Sequence, residues 1–406
     1  MFVTTGATAA FAGVLAFTIT NIYRFETAGL NAFQLVIVGS AMEAAVFVAE
    51  VPTGVVADAF SRKWSVVVGH LGMGVGLLVE ASWASFTGVL IAQVGWGIAY
   101  TFTSGANTAW VTHELGDPDR AALSKLFFRT SRWNSFAALC AVPLSYLLAP
   151  VSLRLPIAVG GAIEVGLGLW LIGAMSETDF RPEPHSGWRD LAVSTRQSIG
   201  VIRRSRVLVL LAVFTFIAGG ASEAFDRFEQ KQLIDNVGVP HWFGLGTLFW
   251  LGVLFSVSSL LGVILPPVVQ RFRPAEQPAR LRSWMVCLLL AQIAGLVVFG
   301  LTGAFVVAAS SVLVVERSRS IRNTLFGAWI VPLTPKGRRA TVLSAVEQCD
   351  SIGQVTMGPV FGAIGQLASV PTAIVTSAAV LAPGVGVVAM AARQPAPDHG
   401  AVAERS

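Results

Sequence analysis

The sequence has little charge and few cysteines for its length. Asp, Glu, Lys and Arg make up 13% of its 406 residues, against roughly 25% in soluble globular proteins. Its 3 cysteines lie inside apolar runs, so neither a disulfide framework nor a metal site is expected. No glycine-rich phosphate loop is present, which argues against ATP as the energy source. A water-soluble enzyme is therefore nearly excluded, and no cofactor is expected.

Long apolar runs dominate the chain instead. Apolar residues make up 54% of it, and the mean hydropathy is +0.68. About 20 apolar residues form a helix that crosses a bilayer once, and Gly and Pro are tolerated in such helices. We therefore expect an all-α membrane protein with twelve transmembrane helices. The predicted helices span residues 2–22, 32–57, 64–83, 88–112, 127–150, 155–175, 207–224, 243–269, 284–301, 305–331, 341–367 and 372–392.

Lys and Arg are concentrated on one side of the predicted helices. Under the positive-inside rule, this distribution makes both termini and the central loop cytoplasmic in a cell membrane. It also explains the net charge of +5 without a nucleic-acid partner. The basic loops lie at 62–63, 120–129, 181–206, 271–282 and 336–339, and the opposite side has only Arg24, Arg154, Arg227 and Lys231.

Two sequence echoes indicate an internal repeat. The segment that starts at Trp110 has a counterpart at Trp329, and the Arg-Phe-Glu that follows Tyr23 recurs after Asp226. Parallel repeats of this kind place a binding site between two halves. The expected organisation is a six-helix bundle at 1–175, a cytoplasmic central loop with an amphipathic surface helix at 176–206, a second six-helix bundle at 207–392 and a cytoplasmic tail at 393–406.

The turn between the second and third predicted helices carries the most specific motif. It places Gly54, Asp58, Arg62 and Lys63 at fixed spacing. This stretch resembles the signature of the major facilitator superfamily, although one Arg and one Gly of that signature are missing. The Pro-Thr-Gly at its start is similar to the drug and proton antiporter branch. The resemblance extends over nearly the whole chain and implies two pseudo-symmetric six-helix bundles.

The same turn is expected to act as a conformational lock formed by Gly54, Asp58, Arg62 and Lys63. Asp58 would accept hydrogen bonds from Arg62 or from a neighbouring helix N-terminus, where an anion is favoured. The equivalent turn of the second half has lost the acid, so only the first half would form this lock. A plain solvated turn that sets topology is the alternative.

Carboxylates inside the predicted helices are candidates for proton coupling. A charged group there costs about 2.5–3.5 kcal/mol on insertion scales, and it usually faces a cavity or a partner. The candidates are Glu43, Glu223 and Asp350. The resemblance implies that the helices carrying Glu43 and Asp350 face each other. Two carboxylates placed close together cannot both ionise easily, so one of them would carry a proton.

The predicted helix 305–331 has four charged residues in its middle. Glu316, Arg319 and Asn323 fit one face, whereas Arg317 and Arg322 fall outside it. The helix is therefore expected to be widely hydrated, broken or internally paired. A positive wall on this helix would bind a carboxylate-bearing solute. In the alternative interpretation, the arginines only neutralise Glu316, Glu223 and Asp350.

These features predict a secondary active transporter that works by alternating access. The leading hypothesis is proton-coupled efflux of a small amphipathic compound or drug by a monomer whose partners are the solute, protons and the lipid bilayer. One alternative is an importer or facilitator of an organic anion on the same fold, and another is a membrane-embedded enzyme acting on lipid.

Arg132 and Glu164 are each either a ligand for the solute or a partner in a buried polar contact. The residues expected in the substrate cavity are Arg132, Glu164, Glu316, Arg319 and Asn323.

Overall fold

The computed structural model of the chain describes residues 1–115, 120–177, 200, 202–272, 278–330, 333 and 339–393. All regular secondary structure in these residues is helical, and no strand occurs among them. The prediction of an all-α fold is confirmed for this part of the chain. Most of the amphipathic helix expected in the central loop falls on residues 178–199, and most of the predicted tail falls on 394–406. Both segments lie outside the described residues.

The described residues divide into two compact units. The first unit contains the residues up to Glu177 together with Val239–Leu260. The second unit contains residues 202–238 and the residues from Leu261 onward. The bundle boundaries predicted at 175 and 207 remain predictions.

The helices of the first unit follow the order of the predicted crossings. They are α1 (Phe2–Phe17), α2 (Thr20–Glu26), α3 (Ala32–Ala59), α4 (Arg62–Ser82), α5 (Phe86–Glu114), α6 (Arg120–Leu148) and α7 (Arg154–Ala174). The first predicted crossing is thus divided into α1 and α2. The hydroxyls of Thr18 and Thr20 at this break donate to the carbonyls of Val14 and Ala16, a bond that bends helices.

The second unit begins with α8 (Arg206–Lys231), which continues into a π-helical turn at Gln232–Val237. The next helix, α9 (Thr247–Gln270), begins within the first unit and ends within the second. The remaining helices are α10 (Pro278–Leu301), α11 (Phe305–Ile330), α12 (Arg339–Leu367), α13 (Val370–Leu381) and α14 (Pro383–Ala391). The last predicted crossing is interrupted at Pro383, because proline lacks the N–H that would continue the helical hydrogen bonds.

Local sequence also explains where individual helices begin. α3 starts with a capping box, in which the Gln34 N–H donates to Asn31 Oδ1 over 2.9 Å and the Asn31 N–H donates to Gln34 Oε1 over 3.1 Å. α4 starts after Ser61, whose hydroxyl oxygen accepts the Trp64 N–H over 3.0 Å. These contacts satisfy N–H groups that have no partner within the helix.

Among the described residues, 8 helical segments are long and apolar enough to cross a membrane. They are α1 with α2, α3, α4, α7, α8 with its π-helical turn, α9, α10, and α13 with α14. The helices α5, α6 and α12 have 29 residues each and α11 has 26, so they are also long enough, but they are outside this set. A multi-pass membrane protein is confirmed, whereas the count of twelve crossings remains a prediction.

Four helix pairings of the first unit recur in the second. In the first unit, α1 packs against α6 and α7, and α4 packs against α5 and α7. In the second unit, α8 packs against α12 and α13, and α10 packs against α11 and α13. Each pairing joins helices at equivalent places in the order of the two halves. This recurrence supports the internal repeat that the sequence echoes indicated.

Glycines bring the paired helices close together. In the first unit, a Cβ added to Gly74 of α4 would lie 2.7 Å from the carbonyl oxygen of Gly161 in α7. In the second unit, a Cβ added to Gly220 of α8 would lie 3.1 Å from the carbonyl oxygen of Gly353 in α12. Small residues are typical of such membrane helix pairs. The close fit of α8 and α12 places their polar side chains around one cavity.

Candidate functional site

A cavity of about 690 Å³ lies in the second unit among α8, α11 and α12. Three residues predicted from the sequence, Arg319, Asn323 and Asp350, line this cavity together. Its lining also contains neutral polar side chains and two aromatic rings. The charged lining residues are Asp226, Arg319, Arg322 and Asp350. The neutral polar residues and the rings include Thr215, Ser222, Asn323, Gln354, Phe214 and Phe326.

Arg319 of α11 forms an ion pair with Asp226 of α8. The Arg319 Nη1 donates to Asp226 Oδ1 over 2.5 Å. The guanidinium also lies 5.9 Å from the centroid of the Phe225 ring, within cation–π distance. The two charges of this pair compensate each other at the cavity wall. α11 is continuous from Phe305 to Ile330, so of the three alternatives for this helix the broken one is wrong, and Arg319 is paired with an acid of another helix.

Arg322 is held by neutral amides. Its Nη1 donates to Gln292 Oε1 of α10 over 2.8 Å, and its Nη2 and Nε donate to Asn323 Oδ1 over 3.0 and 3.3 Å. Its guanidinium carbon lies 5.5 Å from the centroid of the Phe214 ring. Arg322 lines the cavity although it is only 4% exposed. No carboxylate of the described residues lies within 4.0 Å of its nitrogens, so no direct contact balances its charge.

Asp350 of α12 is held in a similar way. Its Oδ2 accepts a hydrogen bond from Gln354 Nε2, one turn further along α12, over 2.6 Å. Gly219 of α8 makes room for this side chain, because a Cβ there would lie 2.6 Å from Asp350 Oδ1. In the part of the chain that the structure describes, no basic nitrogen lies within 4.0 Å of the carboxylate. Asp350 therefore brings an unpaired negative charge, or a proton, to the cavity.

Three further acids of the second unit with described side chains, Glu223, Glu229 and Glu316, are not part of the described cavity lining. Glu223 is buried, and its Oε2 accepts a hydrogen bond from Arg227 Nε over 3.3 Å. Glu316 pairs with the neighbouring Arg317 over 3.3 Å. Glu229, which the sequence predictions did not include, has a buried Oε2 that accepts no hydrogen bond from the described residues. The proton-coupling role predicted for Glu223 and the cavity role predicted for Glu316 remain predictions.

In the first unit, Glu164 of α7 pairs with His70 of α4. The His70 Nδ1 and the Glu164 Oε2 lie 2.8 Å apart, and both residues are buried. This contact agrees with the interpretation of Glu164 as a partner in a buried hydrogen bond. Arg132 is exposed on α6, and Glu43 is half-buried on α3. The roles predicted for Arg132 and Glu43 remain predictions.

An acid from a distant part of the chain holds the turn between α3 and α4. The Oε1 of Glu177, which follows α7, accepts the N–H groups of Arg62 and Lys63 over 2.8 and 3.2 Å. Its Oε2 accepts the Ser61 hydroxyl over 2.5 Å. A carboxylate is stabilised at this N-terminal end of a helix. Asp58 is on α3 with its side chain outside the described residues, so its part in the lock remains a prediction.

A buried ion pair in the first unit was not among the sequence predictions. Arg24 donates through Nε and Nη2 to the two carboxylate oxygens of Glu80, over 2.8 and 3.3 Å. Gln93 Nε2 donates to Glu80 Oε2 over 2.5 Å, and the Tyr23 hydroxyl donates to the Glu80 carbonyl over 2.6 Å. The signal in the sequence was one acid within the apolar run 64–83. Its partner could not be identified from spacing, because the two residues are 56 positions apart.

Comparisons with known proteins agree with this architecture. A family model described as Major Facilitator Superfamily matches residues 1–316. A protein of Bacillus subtilis (strain 168), described as the uncharacterized MFS-type transporter YxaM, is 20% identical over 346 residues, which cover 82% of this chain and 80% of that protein.

Solved structures show the same fold at low sequence identity. The nucleoside transporter NupG matches with a TM-score of 0.79 and 14% identity, over 97% of this chain and 98% of that chain. The human organic anion transporter MFSD10 (TETRAN) matches with a TM-score of 0.63 and 15% identity, over 95% of this chain and 98% of that chain. The family model covers most of the sequence. The chain therefore belongs to the Major Facilitator Superfamily.

Proposed function

We propose that this chain is a secondary transporter of the cell membrane that exports a small amphipathic solute in exchange for protons. In this proposal, it works as the drug and proton antiporter branch does, as a monomer with both termini in the cytoplasm. The proposed bundles are at 1–175 and 207–392, and in alternating access the binding site opens in turn to each side of the membrane. The family and the relatives named above are transporters, which leaves the lipid-modifying enzyme without support.

The observation that carries the proposal is the position of Asp350. Its carboxylate lines a cavity of a membrane-embedded helix bundle, and Gln354 is its hydrogen-bond partner. An unpaired charge in this setting is costly, and either a proton or a cationic group of the solute removes that cost. Because both compete for one carboxylate, binding of the solute releases the proton. This competition is the exchange step of an antiporter.

Gln354 suits either state of Asp350. Its amide N–H donates to the charged carboxylate, and its amide oxygen accepts from the protonated form after the side chain turns. Glu43 and Glu223 remain further candidates for proton coupling. Arg227 lies 3.3 Å from the Glu223 carboxylate and compensates its charge.

The turn between α3 and α4 is proposed to stabilise one of the two conformations. The contacts of Glu177 with the N–H groups of Arg62 and Lys63 keep this turn rigid. In the proposed lock, a rigid turn carries Gly54 and Asp58 as one body during the conformational change. The lock acts on the populations of the two conformations and does not contact the solute.

Transport by purified protein in sealed vesicles tests the proposal. Suitable labelled probes are ethidium as a cation, benzoate as an anion and phenylalanine as a zwitterion. An imposed pH gradient should drive accumulation of at least one probe, and Asp350→Asn should abolish the effect of the gradient, because no carboxylate is left at this position to exchange a proton for the solute. The matched control is Asp235→Asn, which changes an exposed acid of the same unit that pairs with Lys231. Gradient-driven accumulation that is equal in Asp350→Asn and the control would contradict the proposal.

A second candidate function is import or facilitated movement of an organic anion. The observation that favours it is Arg322, whose hydrogen-bond partners in the described residues are neutral. An anion carrier of this kind would move benzoate along its own concentration gradient without an effect of pH. Arg322→Gln would then reduce benzoate transport by tenfold or more. Unchanged benzoate transport in this variant would remove the second candidate.

A further inference from the structure

We propose that the cavity in the second unit binds a small zwitterion that carries an apolar or ring-shaped group. The anionic group of the solute lies at Arg322, and its cationic group lies at Asp350. The proposal rests on the proposed function, since it gives the class of solute for the cavity that contains Asp350. It replaces a general amphipathic compound with a defined arrangement of charge.

The argument starts from the charges of the cavity wall. Of the four charged lining residues, Arg319 and Asp226 compensate each other through a direct ion pair. Arg322 and Asp350 are the other two, and each is bound by amides instead of by an opposite charge. They are close enough to interact electrostatically, but they form no ion pair within 4.0 Å. The cavity thus presents one open positive and one open negative charge.

Both groups have hydrogen-bonding capacity left for a ligand. A guanidinium has five N–H donors, and the bonds of Arg322 to Gln292 and Asn323 use one donor on each of its three nitrogens. One N–H therefore remains on each Nη atom, and these groups can donate to a carboxylate. The carboxylate of Asp350 accepts from Gln354 through Oδ2, and the lone pairs that remain can accept an ammonium group.

Charge selectivity follows from this pair. A simple organic cation that approaches Asp350 also meets the positive charge of Arg322, and a simple anion that approaches Arg322 meets Asp350. Repulsion between the ligand and the residue of like charge weakens the binding of either simple ion. A zwitterion places each of its charges opposite a complementary one, and neither protein charge is left unpaired.

The apolar part of the lining explains the second part of the proposal. The rings of Phe214 and Phe326 line the cavity with centroids 5.8 Å apart and planes tilted by 41°. Ala218, Ile330 and Val346 lie on the same lining. Aromatic side chains gain from offset or edge contact with another ring. A solute with an apolar side group would therefore bind more tightly than one without it.

Binding of a matched set of probes to the purified chain tests this assignment. Phenylalanine is the zwitterion, phenylalanine methyl ester is the cation and N-acetylphenylalanine is the anion, and all three have the same ring. Titration calorimetry in lipid nanodiscs at constant pH should give at least tenfold tighter binding of phenylalanine than of either derivative. Glycine should bind more weakly than phenylalanine. Tighter binding of the ester or of the acetyl derivative, or no binding of any probe, would overturn the proposal.

Two variants link the selectivity to the residues. Arg322→Gln should remove the preference for phenylalanine over its methyl ester, because both retain the ammonium group. Asp350→Asn should remove the preference for phenylalanine over N-acetylphenylalanine, because both retain the carboxylate. Asp235→Asn should leave both preferences unchanged. Loss of both preferences in each single variant would show that these residues do not read the two charges separately, and would also overturn the assignment.

These measurements are independent of proton coupling. Binding in nanodiscs at one pH requires no gradient, so selective binding of phenylalanine without gradient-driven transport would refute the proposed function alone. Gradient-driven transport of ethidium, with no selective binding of phenylalanine, would refute the zwitterion alone.

Discussion

Replacing Glu80 with Gln is expected to destabilise the first unit by about 3–5 kcal/mol, the typical cost of removing one partner of a buried ion pair. The Glu80 side chain is 0% exposed and that of Arg24 is 3% exposed, so solvent cannot replace the lost charge. Glutamine has nearly the same shape, and therefore no cavity forms. The variant also turns an acceptor towards Gln93 into a possible donor, which leaves the short contact between these two side chains unfavourable.

Unfolding of the purified chain in mixed micelles, followed by tryptophan fluorescence, measures this loss. The control is Asp235→Asn, because the Lys231–Asp235 pair is 25% and 42% exposed and exposed pairs contribute roughly 0–1 kcal/mol. The double variant Arg24→Met with Glu80→Gln should recover part of the loss, since no unpaired charge is left buried. A loss for Glu80→Gln as small as that of the control, or no recovery in the double variant, would refute the reasoning.

Three further changes have defined outcomes. Glu177→Gln should lower the stability by about 1 kcal/mol in the same unfolding assay, because it weakens the cap of α4. Gly219→Ala should weaken phenylalanine binding by tenfold or more, because its Cβ displaces Asp350, and binding equal to that of the unchanged chain would contradict this contact. Arg319→Gln should reduce transport of acidic and neutral solutes equally, because Arg319 is already bound to Asp226; a selective loss for acidic solutes would show direct contact with the solute.

Helix positions could be predicted because membrane crossings depend on local composition. The predicted helix 155–175 corresponds to α7 at Arg154–Ala174, and the predicted helix 305–331 corresponds to α11 at Phe305–Ile330. Departures occur where a single residue changes the backbone, as at Pro383, which separates α13 from α14. The apolar content of that run gave no indication of the break.

Site contacts divide into local and distant ones, and only the local ones follow from spacing. The hydrogen bond between Asp350 and Gln354 is a local contact that follows from their spacing, because residues four apart on a helix are neighbours. The partner of Arg319 lies 93 residues away. The sequence distinguishes this partner, Asp226, only as part of a repeated motif. A pattern within a single sequence does not show which distant helices face each other.

At the turn between α3 and α4, the sequence motif marks the region but does not predict all of its hydrogen bonds. From the signature, Asp58 is the acid expected to accept hydrogen bonds at this turn. In the described residues, the acid that binds the N-terminus of α4 is Glu177, and it also accepts the hydroxyl of Ser61. Ser61 occupies the position at which the family signature has glycine. A residue that differs from the motif therefore forms one of the contacts with Glu177.

The charged residues in the middle of α11 affect both the stability of this helix in the membrane and the binding of a solute. Four charged residues facing lipid would cost about 10–14 kcal/mol, at 2.5–3.5 kcal/mol each. The helix avoids this cost by turning its charges towards partners: Arg317 contacts Glu316, and Arg319 contacts Asp226. Arg322 alone in this group of four is held by amides and not by an acid of the described residues. Since an amide hydrogen bond does not neutralise a guanidinium, a carboxylate that enters the cavity gains more at Arg322 than at either paired arginine.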